Sequence, residues 1–147
     1  MIAVTLLYLC FIFANSATPA VYSSAESSWV TDWVNGIFQT LGLGFIRFSE
    51  GFIRKAAHFG EYTGLGILLT VSLSRYPFFA GKNRWRLVAA GFLAACIDES
   101  IQYFTPGRNA SPADVLLDTC GVLFGVAVSA AVSRLIEKKG KKKGGER

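Results

Sequence analysis

The stretch that decides the fold is Ala95–Gly125, ACIDESIQYFTPGRNASPADVLLDTCGVLFG, in which two apolar segments flank a turn. Asp98 and Glu99 lie near the end of the first segment, and Asp114 and Asp118 near the start of the second. The Pro-Gly pair between them favours a tight connection. Ionisable groups within apolar helices are costly and mark functional sites by default. The stretch therefore predicts a helical hairpin that carries a polar site near its turn.

The composition is that of an integral membrane protein. Hydrophobic residues make up 52% of the 147 residues and charged residues only 17%, against about 25% charged in soluble domains. The net charge of +5 comes largely from one loop, 75–86, and the tail, 137–147. This is the pattern of membrane flanks, so we predict a single membrane domain without a nucleic-acid partner. Three cysteines within apolar runs are predicted to be free, buried thiols.

The hydropathy pattern predicts an all-α fold, a polytopic membrane helical bundle with four transmembrane helices in one domain over residues 1–147. The predicted spans are 1–20, 56–74, 87–104 and 112–136. Residues 15–28 are predicted to be a polar linker. An amphipathic, tryptophan-bearing interfacial helix over 29–52 follows in the first outer loop, and 137–147 form a basic tail. Residues 1–20 also suit a cleaved signal peptide, but no Lys or Arg occurs in the first 46 residues, which favours a retained span.

Loop and tail charges also set the predicted orientation. The positive-inside rule places 75–86 and the tail in the cytoplasm, with both termini cytoplasmic in a multi-pass arrangement. Helix periodicity then predicts that polar residues lie together at the outer face and point into the bundle. A strip of small residues continues from them along the fourth span. The residues concerned are Lys55, His58 and Tyr62 in the second span, Glu99 and Gln102 in the third, and Asp114, Asp118, Gly121 and Gly125 in the fourth.

We predict a site for the headgroup of an anionic lipid here. Arg108 and Lys55 would hold its phosphate or carboxylate, the arginine as a bidentate fork. His58 would transfer protons, because its ordinary pKa lies near neutrality, with Glu99 or Asp118 orienting it or acting as base. No nucleophile motif names a reaction, so enzymatic activity stays open. The candidate catalytic residues are His58, Glu99 and Asp118; the candidate ligand-binding residues are Lys55, Tyr62, Gln102, Arg108 and Asp114.

Four alternatives remain. In the first, the cluster only holds the helices together, although intramembrane polar pairs contribute about 0.6 kcal/mol each on average. A metal site would use His58, Glu61, Glu99 and Asp118, but only His58-x-x-Glu61 has a suggestive spacing, so we predict no metal ligand and no cofactor. A transporter is disfavoured by four helices without an inverted repeat. The segment 29–41 could dock an envelope protein, and Gly121 and Gly125 leave an oligomer possible.

Two motifs carry a family resemblance. K-x-x-H-F-x-x-Y-x-x-L-G over Lys55–Gly66 and E-x-x-Q-x-F-x-P-G-R-x-x-S-x-x-D over Glu99–Asp114 resemble the VanZ-like family. The resemblance implies a bacterial multi-pass membrane protein with an envelope role. The name-giving member of the family is linked to tolerance of teicoplanin, a glycopeptide that acts on cell-wall precursors, so the resemblance adds a lipid-linked wall precursor to the candidate anionic ligands. It brings no agreed biochemical activity. The chain departs from the family pattern at Asp118, where many relatives carry Asn, which leaves open whether this position binds a cation.

Overall fold

The computed structural model describes the backbone of residues 1–144 and side chains as far as Ile136. The helices are α1 (Ile2–Ser16), α2 (Ala20–Thr40), α3 (Glu50–Leu73), α4 (Trp85–Phe104) and α5 (Pro112–Gly144), with a 3-10 turn at Gly81–Arg84. The described residues contain no strand, which confirms the all-α prediction for this part of the chain. The predicted basic tail, 137–147, lies outside the described residues except for the backbone of α5.

Helices α3 and α5 form the closest packing in the bundle, and glycines make it possible. A Cβ at Gly121 would lie 2.7 Å from the Phe59 carbonyl oxygen, and one at Gly125 would overlap the Thr63 carbonyl. The predicted small-residue strip of α5 is therefore used within the chain. Both glycines pack against α3 of the same chain, and the oligomer that the sequence suggested stays a prediction.

Helix α4 completes the core with one small and polar face. Its buried residues recur at three- and four-residue intervals, as expected for a helix that presents one side to its neighbours: Leu87, Gly91, Ala94, Ala95, Asp98, Glu99 and Gln102. Gly91 lets Val122 of α5 approach the α4 backbone. Glu99 and Gln102, which were predicted to point into the bundle, are both buried, and so is Asp98.

Helix α1 packs into the same bundle. Ile12 is fully buried, and the Thr5 and Ser72 hydroxyls share a buried hydrogen bond of 2.8 Å. The Tyr8 hydroxyl donates to the Glu61 carbonyl at 3.1 Å. These contacts join α1 to the middle and to the C-terminal end of α3.

Helix α2 corrects two predicted boundaries. Residues 20–28 of the predicted linker are helical, and the predicted interfacial helix 29–52 is interrupted between Thr40 and Glu50. The hydroxyls of Ser28 and Thr31 donate hydrogen bonds to carbonyls four residues earlier in the same helix. These polar side chains therefore have partners within α2 and do not interrupt it. Gly42, at φ 76°, lies just beyond the end of α2. Residues 50–52 belong instead to α3, which Ser49 caps.

By length and apolar composition, two described segments suit a membrane span, Gly81–Phe104 and Pro112–Ile136. A third is available if α1 and α2, which meet at 103°, are taken together as one broken span or re-entrant pair. Fifteen residues of α1 cover about 22 Å, less than the roughly 30 Å hydrocarbon core. The count of four spans therefore stays a prediction.

The cysteines are free as predicted, but Cys10 and Cys120 are exposed and not buried.

Candidate functional site

Three titratable side chains from three helices converge inside the bundle. His58 of α3, Asp98 of α4 and Asp118 of α5 each offer a ligand atom, and these atoms all lie within 4.8 Å of one another. Both aspartates have no solvent exposure, and His58 is partly buried. We call these residues the buried triad. They lie near the end of the bundle that carries the α4–α5 connection, 105–111, which we call the hairpin end.

The triad has unused hydrogen-bonding capacity. Among the residues that the structure describes, none forms a hydrogen bond with His58 Nδ1, Asp98 Oδ1 or either carboxylate oxygen of Asp118. The hydroxyl of Tyr62, one turn after His58, is also buried without a partner. A buried polar atom that lacks a partner costs about 1–3 kcal/mol, and more if it is charged. The arrangement is therefore expensive unless a further group binds these atoms.

A chain of hydrogen bonds connects the triad to the hairpin end. Gln102 Nε2 donates to Asp98 Oδ2 at 3.1 Å and to Ser16 Oγ at 3.4 Å. Gln102 Oε1 accepts from Arg108 Nη1 at 3.4 Å. Gln102, predicted to bind ligand, thus orients Asp98 and leaves its Oδ1 free.

Arg108 is mainly a brace between the α4–α5 connection and the end of α1. Its Nη2 donates to the Asn15 carbonyl at 2.9 Å and to Ser23 Oγ at 3.3 Å, and its Nε donates to the Thr18 carbonyl at 3.2 Å. With Gln102 this uses four of the five guanidinium donors. Burial lowers the pKa of Arg108 from its ordinary value, and the nearby Arg54 acts in the same direction; arginine still stays protonated. The guanidinium that was predicted to bind a phosphate therefore has most of its donors occupied by the protein itself.

The two glutamates of the predicted metal set lie outside the triad. Glu99 Oε2 accepts from the Ser111 amide at 2.8 Å, and Glu61 Oε1 accepts from Asn15 Nδ2 at 3.2 Å. Of the four residues in that set, the structure brings only His58 and Asp118 together, with Asp98 as the third member. Asp114 instead pairs with Lys55, Oδ1 to Nζ, at 3.6 Å.

A polar pocket of about 100 Å³ opens at the hairpin end, next to the triad. Three cations line it, Arg54, Lys55 and Arg108, together with His58. Its other polar lining residues include Glu99, Gln102 and Asp114. Most of the predicted site residues therefore share one cavity. Tyr62 is fully buried and is not among the residues that line it.

An apolar groove of about 680 Å³ lies between α4 and α5, on the outside of the bundle. Glu99 lines both the groove and the polar pocket, so the two cavities adjoin. The remaining lining is mostly apolar and aromatic, and includes Phe92, Tyr103, Phe104, Val115 and Leu116. No local pattern in the sequence indicates this groove, because its residues come from two helices and are spaced like ordinary lipid-facing positions.

Sequence reasoning left Asp98 and Arg54 out of the candidate site. Asp98 lies four residues before Gln102, on the buried face that also carries Ala94 and Ala95. Following that small-residue face along the helix would have placed Asp98 inside the bundle. Arg54 carried no such signal, since it precedes the predicted span and its position depends on how α3 begins.

The helical bundle, its apolar segments and its buried polar cluster define an all-helical membrane protein with a polar site at one end. The chain belongs to the VanZ/LLP1 family, whose model matches residues 1–133, and this confirms the resemblance seen in the two motifs. No curated protein and no solved structure matches the chain.

Proposed function

We propose that this protein binds an anionic envelope lipid or lipid-linked wall precursor and thereby contributes to tolerance of teicoplanin-type glycopeptides. The headgroup would enter the polar pocket, and the hydrocarbon chain would lie in the apolar groove. One observation carries the proposal: a pocket lined by three cations shares Glu99 with a groove lined by apolar side chains. Such a pair of adjoining cavities matches the two chemically different parts of an anionic lipid.

The cations of the pocket differ in how free they are. Lys55 has a side chain 61% exposed, and its pair with Asp114 is long at 3.6 Å. Exposed pairs of this kind contribute about 0–1 kcal/mol, so an incoming phosphate can replace the aspartate. Arg54 is exposed beside Lys55. We therefore assign the headgroup to Lys55 and Arg54, with Arg108 supplying its one uncommitted donor.

The groove suits a hydrocarbon chain because its walls face outward on two apolar helices. Tyr103 and Phe104 are 71% and 81% exposed, and Leu116 is exposed opposite them. Exposed aromatic residues at this level are typical of the interface between headgroups and acyl chains. A chain bound there would cover these side chains while its headgroup reaches Glu99 and the pocket.

The proposal includes the predicted topology in the bacterial cell membrane. We propose four spans, α1, α3, α4 and α5, with both termini cytoplasmic and the hairpin end outside, where wall precursors are used. His58 and Glu61 lower the hydropathy of α3 but face neighbouring helices, which supports α3 as a span. Helix α2 would lie in the headgroup layer, with Trp29 and Trp33 exposed.

The binding test uses protein purified in detergent, reconstituted into nanodiscs and titrated with a polyprenyl phosphate. We expect Arg54→Ala/Lys55→Ala to weaken binding at least tenfold, because two charge-assisted contacts are lost. Lys82→Ala, in the loop at the other end of the bundle, is the matched control and should bind like the wild type. Equal binding by both variants would refute the proposed pocket. Teicoplanin tolerance of cells expressing each variant should follow the same order.

A further inference from the structure

We infer that His58, Asp98 and Asp118 form a binding site for a divalent transition-metal ion, Zn²⁺ or Mn²⁺. The inference concerns the interior of the bundle and does not rest on lipid binding in the pocket above it. Its basis is the combination of three converging side chains, complete burial of both aspartates, and carboxylate and imidazole atoms that have no hydrogen-bond partner among the described residues.

Electrostatics favours a cation at this position. Two carboxylates in one buried cluster repel each other and lose their hydration, and both effects disfavour a pair of negative charges. The nearby cations do not pair with the triad, since Arg108 donates to the carbonyls of Asn15 and Thr18. Arg54 and Lys55 are exposed, and Lys55 lies beside Asp114. One divalent ion neutralises both carboxylates and supplies a partner for the free oxygens.

The donor set selects the class of ion. One imidazole with two carboxylates is a ligand set for Zn²⁺ or Mn²⁺, whereas Mg²⁺ and Ca²⁺ prefer oxygen ligands throughout. Three protein ligands would also leave a position open for water, as in catalytic zinc sites. Metal bonds of about 2.0–2.2 Å put neighbouring ligand atoms roughly 3–3.5 Å apart. Atoms that already lie within 4.8 Å reach that spacing by small side-chain rotations.

The surroundings of the triad have two further properties of a metal site. Gln102 Nε2 holds Asp98 through Oδ2, which fixes the carboxylate and leaves Oδ1 available. Hydrogen bonds of this kind orient metal ligands and contribute to affinity. His58 also lines the polar pocket, so an ion has a route from the hairpin end to the triad.

The first test is the metal content of the wild-type protein, purified through a tag without histidines and measured by inductively coupled plasma mass spectrometry. We expect about one equivalent of zinc or manganese per chain, either as purified or after incubation with Zn²⁺ or Mn²⁺ and gel filtration. Protein that binds neither ion under both conditions would overturn the inference.

Variants then locate the ion. Asp118→Asn and the double variant Asp98→Asn/Asp118→Asn should lose at least tenfold in affinity for the ion. Glu61→Gln removes a carboxylate from α3 that lies outside the triad, and it should keep the full equivalent. Retention of the metal by the double variant would overturn the site.

X-ray absorption at the metal edge of the wild-type protein decides the matter if these variants do not fold. We expect a first shell of nitrogen and oxygen only. Sulfur in that shell would assign the ion to a cysteine and overturn the inference.

Discussion

Arg108 Nη2 donates to the carbonyl oxygen of Asn15 at 2.9 Å and so joins residues 93 positions apart in the chain. Because Nε of the same side chain donates to the Thr18 carbonyl, one guanidinium holds both the last turn of α1 and the connection between α1 and α2, 17–19. The amide of Ala20 adds a hydrogen bond to the Pro106 carbonyl at 3.1 Å. The α4–α5 connection thus fixes the direction in which α2 leaves the bundle.

Replacing Arg108 is therefore expected to destabilise the protein. Arg108→Ala leaves two carbonyls and Gln102 Oε1 without this donor, which should cost about 2–4 kcal/mol. Arg108→Lys should restore little, because an ammonium on a flexible stem cannot reach the same set of acceptors. Thermal unfolding in detergent measures both variants.

Arg54→Ala is the matched control for this prediction. Arg54 lines the same pocket but is exposed, so its removal should change the unfolding temperature little. If Arg108→Ala melted like Arg54→Ala, the guanidinium would not be a brace.

Gly125→Ala is expected to disrupt the contact between α3 and α5. Its Cβ would overlap the Thr63 carbonyl, and because this neighbour is backbone, a helix must shift, at about 1–3 kcal/mol. Gly36→Ala in α2 is the control, since a Cβ there meets nothing within 4 Å. That variant should be neutral or stabilised by up to about 1 kcal/mol, from helix propensity. Equal unfolding temperatures for the two variants would contradict the proposed packing role of Gly125.

Much of this arrangement could be predicted from the sequence, and the exceptions have physical causes. Apolar runs and the Pro-Gly turn predicted where the third span ends and the fourth begins, because hydropathy and turn signals act locally. Glu99 and Asp98 are adjacent in sequence, and the one signal that favours Asp98 for the triad is the small-residue face that it shares with Ala94 and Ala95. The role of Arg108 depends on the distant carbonyls of Asn15 and Thr18, which no local pattern reveals. Residues 20–28, which were predicted to be part of a linker, are helical because serine and threonine hydroxyls donate to backbone carbonyls of the same helix.

The proposed topology predicts opposite labelling of two loop positions. In a background with the three native cysteines replaced by serine, Asn109→Cys in the α4–α5 connection should react with an impermeant maleimide on intact cells. Asn83→Cys in the basic 3-10 turn should react only after permeabilisation. Labelling of both positions on intact cells would contradict the four-span arrangement, as would the reverse pattern.

A substitution in the apolar groove best distinguishes a loss of lipid binding from a defect in the protein's structure. Leu116 lines it and is 64% exposed, so Leu116→Trp fills the groove without entering the core. We expect weaker binding of a long-chain polyprenyl phosphate, by about tenfold, and unchanged binding of a short-chain analogue that reaches only the pocket. Leu135→Trp makes the same change at a similarly exposed position near the other end of α5, at 61% exposure, and should leave both ligands unaffected. Native mass spectrometry of both complexes compares the variants directly. Only the long chain occupies the space that the tryptophan fills. An equal loss of affinity for the long and the short ligand would therefore mean that Leu116→Trp distorts the pocket and does not act by filling the groove.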